Sequence, residues 1–205
     1  MDTLIIEKKN EVYITVDCDP NVQRELSEFF TFYVPGYKFM PAFRNRMWDG
    51  KIRLFSQKTK EIYFGLFPYI KAFAEEREYH IVCGKDVEVK NKVDKDIVEK
   101  FSNSLGQKFE ARDYQVDAIY HSLKYNRALL LSPTASGKSF IIYALIRYYT
   151  HLIKDETNNR ILLIVPTTSL VEQMYSDFKS YGWNVEKYCH RLYSGYSNQT
   201  DKKVL

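Results

Sequence analysis

Cysteine is scarce. Cys18, Cys83 and Cys189 lie far apart in 205 residues, with no CxxC pair. Neither a disulfide scaffold nor a zinc site is expected, and a reducing interior fits best. Long apolar runs are also missing: the longest, Phe140 to Ile146, is far below the ~18 residues that a bilayer span needs. Met1-Asp2-Thr3-Leu4 has no basic stretch leading into an apolar core, so no secretory leader is visible. The four histidines show no metal-ligand spacing, and there is no internal repeat or low-complexity tract. These absences predict a soluble, intracellular protein with no membrane partner, and a monomer is expected.

Net charge is only +4, but it is unevenly spread. Between Gly36 and Lys60 seven cations (Lys38, Arg44, Arg46, Lys51, Arg53, Lys58, Lys60) face one acid, Asp49, which leaves the rest of the chain at −2. Tyr37, Phe39, Phe43, Trp48 and Phe55 interleave with them. Cations that hold phosphates and aromatics that stack on bases form a nucleic-acid pattern. Arg44, Arg46, Lys51 and Arg53 are the predicted DNA contacts. A strand over Lys51 to Phe55 would put Lys51, Arg53 and Phe55 on one face, with Ile52 and Leu54 pointing inward.

The periodicity divides the chain. Leu4 to Ile6 and Val12 to Val16 alternate like strands around a turn at Lys8-Lys9-Asn10. Asp19-Pro20 predicts a helix start, and the helix should end before Pro35-Gly36. Lys51 to Phe55 and Glu61 to Phe67 read as a second pair of strands. Pro68 opens a helix with Ile70, Phe73 and Ala74 on its apolar face, and Tyr79 to Cys83 closes the region as a strand. Residues 1–85 therefore read as a small α+β domain, and 86–106 as a charged linker with a short helix ended by Gly106. From 107 to 205 strands alternate with helices. Strands are expected at Arg127 to Ser132 and Arg160 to Val165, and helices at 138 to 152 and through Leu170, Met174, Phe178 and Tyr181. That order predicts an α/β domain with a parallel sheet.

Ser132-Pro133-Thr134-Ala135-Ser136-Gly137-Lys138-Ser139 sits between an expected strand and an expected helix. That is the context of a phosphate-binding loop. A glycine lets the backbone come close to the anion, and the helix N-terminus aims N–H groups at it. Lys138 would carry the charge for the β- and γ-phosphates, and Ser139 a hydroxyl for Mg²⁺.

The same eight residues resemble the [AS]-x-T-[GA]-x-G-K-[ST] loop of superfamily-two helicases and translocases. Ser132 stands at the first glycine position of the generic loop, and Ala135 where many members carry glycine. Phe109 to Ile119 resembles the L-R-x-Y-Q-x-x-A element of that superfamily, and Val165-Pro166-Thr167-Thr168-Ser169-Leu170-Val171-Glu172-Gln173 its P-T-x-x-L-x-x-Q element. Together with Met47 to Phe55, the chain looks most like the branched-DNA helicases of T-even bacteriophages. The resemblance implies a partial RecA-like fold. It implies ATP and Mg²⁺ as cofactors and branched DNA as partner, in the cytoplasm of the host cell. It further implies ATP contacts from Arg112, Gln115, Thr134, Ala135, Ser136, Gly137, Lys138 and Ser139. Lys138 would be catalytic and Gln115 the adenine reader, with Arg112 or Phe109 against the ring. Pro166, Thr167 and Thr168 would touch the tracked strand, with Thr168 or Ser169 capping the helix. An Asp-Glu-x-His element and a second motor lobe do not follow before Leu205, so a fragment inactive on its own is expected. A phosphate-loop kinase for small molecules and a non-catalytic nucleic-acid-binding module are the alternatives.

Overall fold

The computed structural model describes residues 2–87, 91–153, 159–197 and 199–205. It divides into two compact units, Met1–Val89 and Lys90–Leu205.

In the first unit β1 (Thr3–Lys8) and β2 (Tyr13–Asp17) pair antiparallel around the Asn10 turn. Asn10 Oδ1 accepts from Val12 N–H and Tyr13 N–H, both at 2.8 Å, which fixes that turn. Asp19 caps α1 (Pro20–Phe29) by accepting from Asn21 N–H at 2.9 Å, with proline in the first turn as predicted. The helix ends before Pro35-Gly36, as expected, at Phe29. β3 (Thr31–Tyr33) follows immediately, then a 3-10 turn at Tyr37–Phe39 and the four-residue α2 (Pro41–Arg44). β4 (Lys51–Arg53) pairs with β3, whereas β5 (Glu61–Tyr63) pairs with β2. The two strands expected to pair with each other therefore lie in different sheets. α3 (Phe67–Glu76) and β6 (His80–Cys83) complete the unit, β6 running parallel to β1 in a sheet of order β5-β2-β1-β6. Leu4, Ile6, Ile14 and Val16 line one sheet face and bury completely with Val22 and Leu26 of α1 and Ile70 and Phe73 of α3.

The predicted sidedness of Lys51 to Phe55 holds for Leu54, which is half-buried against the core, but fails at Phe55 and Ile52. Phe55 is 2% exposed and part of the core, whereas Ile52 is 49% exposed. The β3–β4 ribbon is a separate two-stranded sheet, and the strand stops at Arg53. Beyond it the period-two rule no longer holds, and Phe55 joins the core.

In the second unit the segment read as a linker with a short helix carries α4 (Lys95–Asn103), capped by Asp94. Val98 and Leu105 bury against α5 (Asp113–Tyr125) and α6 (Lys138–Leu152). Lys95 also pairs with Asp117 of α5. Residues 88–90 of the linker reading lie outside the described residues. α7 (Thr168–Ser180) and the short α8 (Val185–Tyr188), which sequence periodicity misses, close the core.

Tyr143 lies at its centre, among the rings of Phe140, Phe178, Tyr181 and Trp183. Its hydroxyl donates to Leu105 O at 3.1 Å and accepts from Arg147 at 2.7 Å.

The parallel sheet of this unit is present as short pairings. Ile161 N–H donates to Lys203 O and Leu205 N–H to Ile161 O, both at 2.8 Å. On the other side His190 N–H donates to Val204 O at 2.8 Å. The bridges Ile161↔Val204 and Cys189↔Val204 are both parallel. Arg127 to Ser132, expected as a strand, carries no ladder, because no neighbouring strand among the described residues offers it the pairing. Exposure nonetheless alternates there and along 161–165. Leu129, Leu131, Leu162 and Ile164 face out, while Leu130, Leu163 and Val165 are half-buried.

Cys189 is buried beside this pairing, and burial pushes its thiol up to about 12. The stability that its neutral form adds is full below the unfolded thiol value and is lost as pH rises toward 12. Alkylation of Cys189 at pH 8 is expected to be on the order of 100-fold slower in native than in unfolded protein. Equal rates, read by mass spectrometry of the labelled peptide, would contradict the burial.

Candidate nucleotide site and nucleic-acid interface

The candidate phosphate loop, residues 132–139, is shaped by its backbone. Ala135 has φ 64° and Gly137 φ 77°. The left-handed region costs an L-residue roughly 1–2 kcal/mol, so Ala135 stores strain that glycine would not. Lys138 opens α6, as predicted, with Gly137 as the N-cap. Its ammonium reaches back to Pro133 O at 2.7 Å and Ser132 O at 3.3 Å, across the mouth of the loop. Ser139 is the second helical residue. The first N–H groups of any α-helix have no intrahelical partner and point at whatever lies ahead of it.

Gln115 is the best-defined contact of the loop. The residue is 5% exposed, with Oε1 accepting from Arg112 N–H and Nε2 donating to Ser136 O, both at 3.0 Å. Tyr114, one residue earlier, donates its hydroxyl to the same carbonyl at 3.0 Å and accepts from Arg112 at 2.9 Å. α5 thus clasps the loop through two donors on one oxygen. As the predicted adenine reader, Gln115 has one amide hydrogen and one lone pair left after these bonds. Sequence reasoning gave Tyr114 no role, although it stands at the Y of the L-R-x-Y-Q-x-x-A element.

A cavity of about 690 Å³ opens beside the loop, lined by Arg112, Tyr114, His121 and residues 132–136 among others. Arg112 therefore faces open space next to the loop. Phe109 does not: its ring packs edge-on against Phe140 at 5.1 Å and Tyr181 at 5.8 Å. Ser136 Oγ is buried and has no hydrogen-bond partner. An orphaned hydroxyl, a glycine cradle and a helix N-terminus together suit a polyphosphate.

At the next element Thr167 is the N-cap of α7, accepting from Leu170 N–H at 3.3 Å. The cap was expected at Thr168 or Ser169. Helical geometry begins at Thr168, so both lie in the first turn, where their N–H groups stay open, and Pro166, Thr167 and Thr168 are exposed. Glu172 on the same helix receives Tyr193 Oη–H, and its other oxygen accepts from Arg191 at 2.7 Å. Hydrogen bonding from Tyr193 and then from Arg191 holds the Glu172 carboxyl below its usual range. Arg191 also lies over Tyr175 at 4.3 Å and Tyr196 at 4.5 Å. These bonds tie 191–196 to α7, which the sequence alone did not indicate.

The four cations assigned to DNA differ in availability. Arg44 and Arg46 are exposed. Lys51 is half-buried, its ammonium 4.9 Å from the Tyr33 ring. Arg53 is engaged by Asp49, which it holds below the usual carboxylate range.

Comparison with known proteins places these features. Residues 5–84 match the domain family described as "DNA helicase UvsW, N-terminal", and residues 112–205 match "DEAD/DEAH box helicase". The crystal structure of the UvsW helicase from bacteriophage T4 superposes with a TM-score of 0.86 at 30% identity, over all of this chain and 73% of that one. The chain belongs to the UvsW helicase family. A second T4 UvsW structure gives the same TM-score at 31% identity, with 42% of its chain covered. The curated "ATP-dependent DNA helicase uvsW" of Enterobacteria phage T4 is 34% identical over 174 residues, or 82% of this chain and 34% of that protein. The chain thus spans about a third of its length. A shorter match, 33% over 73 residues, is to "Endoribonuclease Dicer" of Danio rerio. The likeness to UvsW carries the RecA-like α/β class for the second unit, although its sheet pairs only at isolated bridges among the described residues. No helix among the described residues is long and apolar enough to cross a membrane.

Proposed function

We propose that the chain works as part of an ATP-dependent DNA helicase or translocase. It would act on branched DNA in recombination, repair and replication-fork processing, as a monomer in the host cytoplasm. Residues 1–85 would be an accessory DNA-binding domain and 107–205 the first part of the ATP-binding lobe. The clasp of Tyr114 and Gln115 on Ser136 O carries this reading, because it joins the adenine-type element to the phosphate loop in one body. A chance Gly-Lys-Ser would have no such partner.

In this reading Lys138 leaves the Pro133 and Ser132 carbonyls for the β- and γ-phosphates, and the amides of Thr134 to Ser139 line the polyphosphate. Arg112 lies against the base from the adjoining cavity. A magnesium ion held by Ser139 would neutralise charge on the β- and γ-oxygens. Thr167 and Thr168 would offer a hydroxyl and helix N–H groups to one phosphate of the tracked strand.

The test is ATP turnover by the full-length protein with and without single-stranded and branched DNA. Stimulation by DNA and loss of turnover by about 100-fold or more in Lys138→Ala are expected. Turnover indifferent to DNA would sink the motor reading. Arg44→Ala with Arg46→Ala is expected to weaken DNA binding and to reduce the slope of log K against log salt by up to about 2. An unchanged slope would remove these cations from the interface.

A further inference from the structure

We infer that a hollow in the first unit, between the Tyr37–Phe39 turn, α2 and Trp48, is a site for one unstacked nucleotide of branched DNA. The hollow holds about 590 Å³ and is lined by Lys38, Phe43, Arg44, Arg46, Met47 and Trp48, with Asp49 at its edge. That volume lies within the ~300–1,000 Å³ of small-ligand sites. The inference rests on the proposed DNA-binding role of this unit and adds what the unit reads there.

The aromatic wall is fixed before any ligand arrives. Trp48 donates its indole N–H to Lys51 O at 2.9 Å, so the ring cannot swing. Phe43 stands edge-on to Tyr37 at 4.8 Å, and Tyr37 stacks on Tyr33 at 4.8 Å. Tyr37 in turn occupies the space over Gly50, whose φ is 78° and where a Cβ would fall 2.8 Å from Tyr37 Cγ. A rigid ring platform loses little freedom when a base stacks on it.

The charge is equally suited to a nucleotide. No carboxylate pairs with Lys38, Arg44 or Arg46 among the described residues. The one acid in the wall, Asp49, is neutralised by Arg53. Arg46, which lines the hollow, has φ 56°, a conformation that L-residues rarely adopt. Met47 is 76% exposed, a large apolar group in water beside three cations. A base, flat and apolar on its faces, flanked by phosphates, answers all of these at once. A paired base inside a duplex could not enter, so the hollow would favour branch points over linear duplex.

The experiment uses full-length protein and a forked DNA with 2-aminopurine at the unpaired branch nucleotide. Binding is expected to change the 2-aminopurine fluorescence. Trp48→Ala should lower fork affinity about five-fold or more and abolish that change. It should leave affinity for linear duplex within about two-fold, and the salt slope unaltered, because no phosphate contact is lost. Trp48→Phe should restore most of the signal. Met47→Ala, a surface truncation that cannot unfold the unit, should lower fork affinity alone and decides the matter if Trp48→Ala lowers the melting temperature. Variants that bind the fork as wild type does, or that lose fork and duplex equally, overturn the base site. A hollow that serves a protein partner gives the first of those results. If the wild type instead shows no DNA-stimulated turnover, the motor reading fails, a result distinct from failure of the hollow.

Discussion

Gly137→Ala is expected to lower the ATP affinity of the full-length protein by about 100-fold or more, measured by titration with a fluorescent nucleotide. Two costs combine. The residue has φ 77°, where a side chain costs roughly 1–2 kcal/mol. A Cβ there would also overlap Gln115 Nε2, the atom that donates to Ser136 O. Either the amide moves and a buried hydrogen bond is lost, for about 1–3 kcal/mol, or the loop opens. In both cases the binding-competent loop becomes a minor state and the apparent affinity falls with its population. Gln115→Ala alone, which removes the same hydrogen bond without backbone strain, should lower the affinity by less than Gly137→Ala does. Wild-type affinity in Gly137→Ala would show that the loop does not bind in this conformation.

Tyr143→Ala should destabilise the second unit by about 3–5 kcal/mol, the range for deleting a large buried ring. Tyr143 is fully buried and touches four other aromatic rings. Tyr143→Phe keeps the ring and removes only the hydroxyl, which leaves Leu105 O and Arg147 without that partner. It should cost about 1–3 kcal/mol. Against a total of roughly 5–15 kcal/mol the alanine variant is close to unfolding. Urea titration followed by circular dichroism measures both. A loss under about 1 kcal/mol for alanine would contradict the packing.

What was legible in the sequence follows from how local the cause is. The limits of α6, the Asp19 cap and the β1–β2 pair are set by neighbouring residues, and each was readable. The turn into α6 was readable for the same reason, since Gly137 and Lys138 are adjacent in the chain. The partners of Gln115 were not, because Ser136 lies 21 residues away and the bond depends on how α5 packs. The sidedness failed at Phe55 because alternation holds only within a strand, and this one ends two residues early, and at Ile52 because the β3–β4 ribbon is a sheet of its own. Arg53 looked available by composition, yet its partner Asp49 is four residues away and exposed enough to reach it. The pairing of 203–205 between 161–163 and 188–190 is long-range, and Val204 alone carries no signal of it.

The two hydrogen bonds on Ser136 O have a thermodynamic consequence. They couple α5 to the loop, so whatever nucleotide binding does to the position of Ser136 is felt by Tyr114 and Gln115. Linkage is reciprocal: a ligand that tightens the clasp must itself be bound more tightly when the clasp is closed. Amide hydrogen exchange in the first turn of α5 should therefore slow on nucleotide binding, and by the same free energy with which that turn supports the nucleotide.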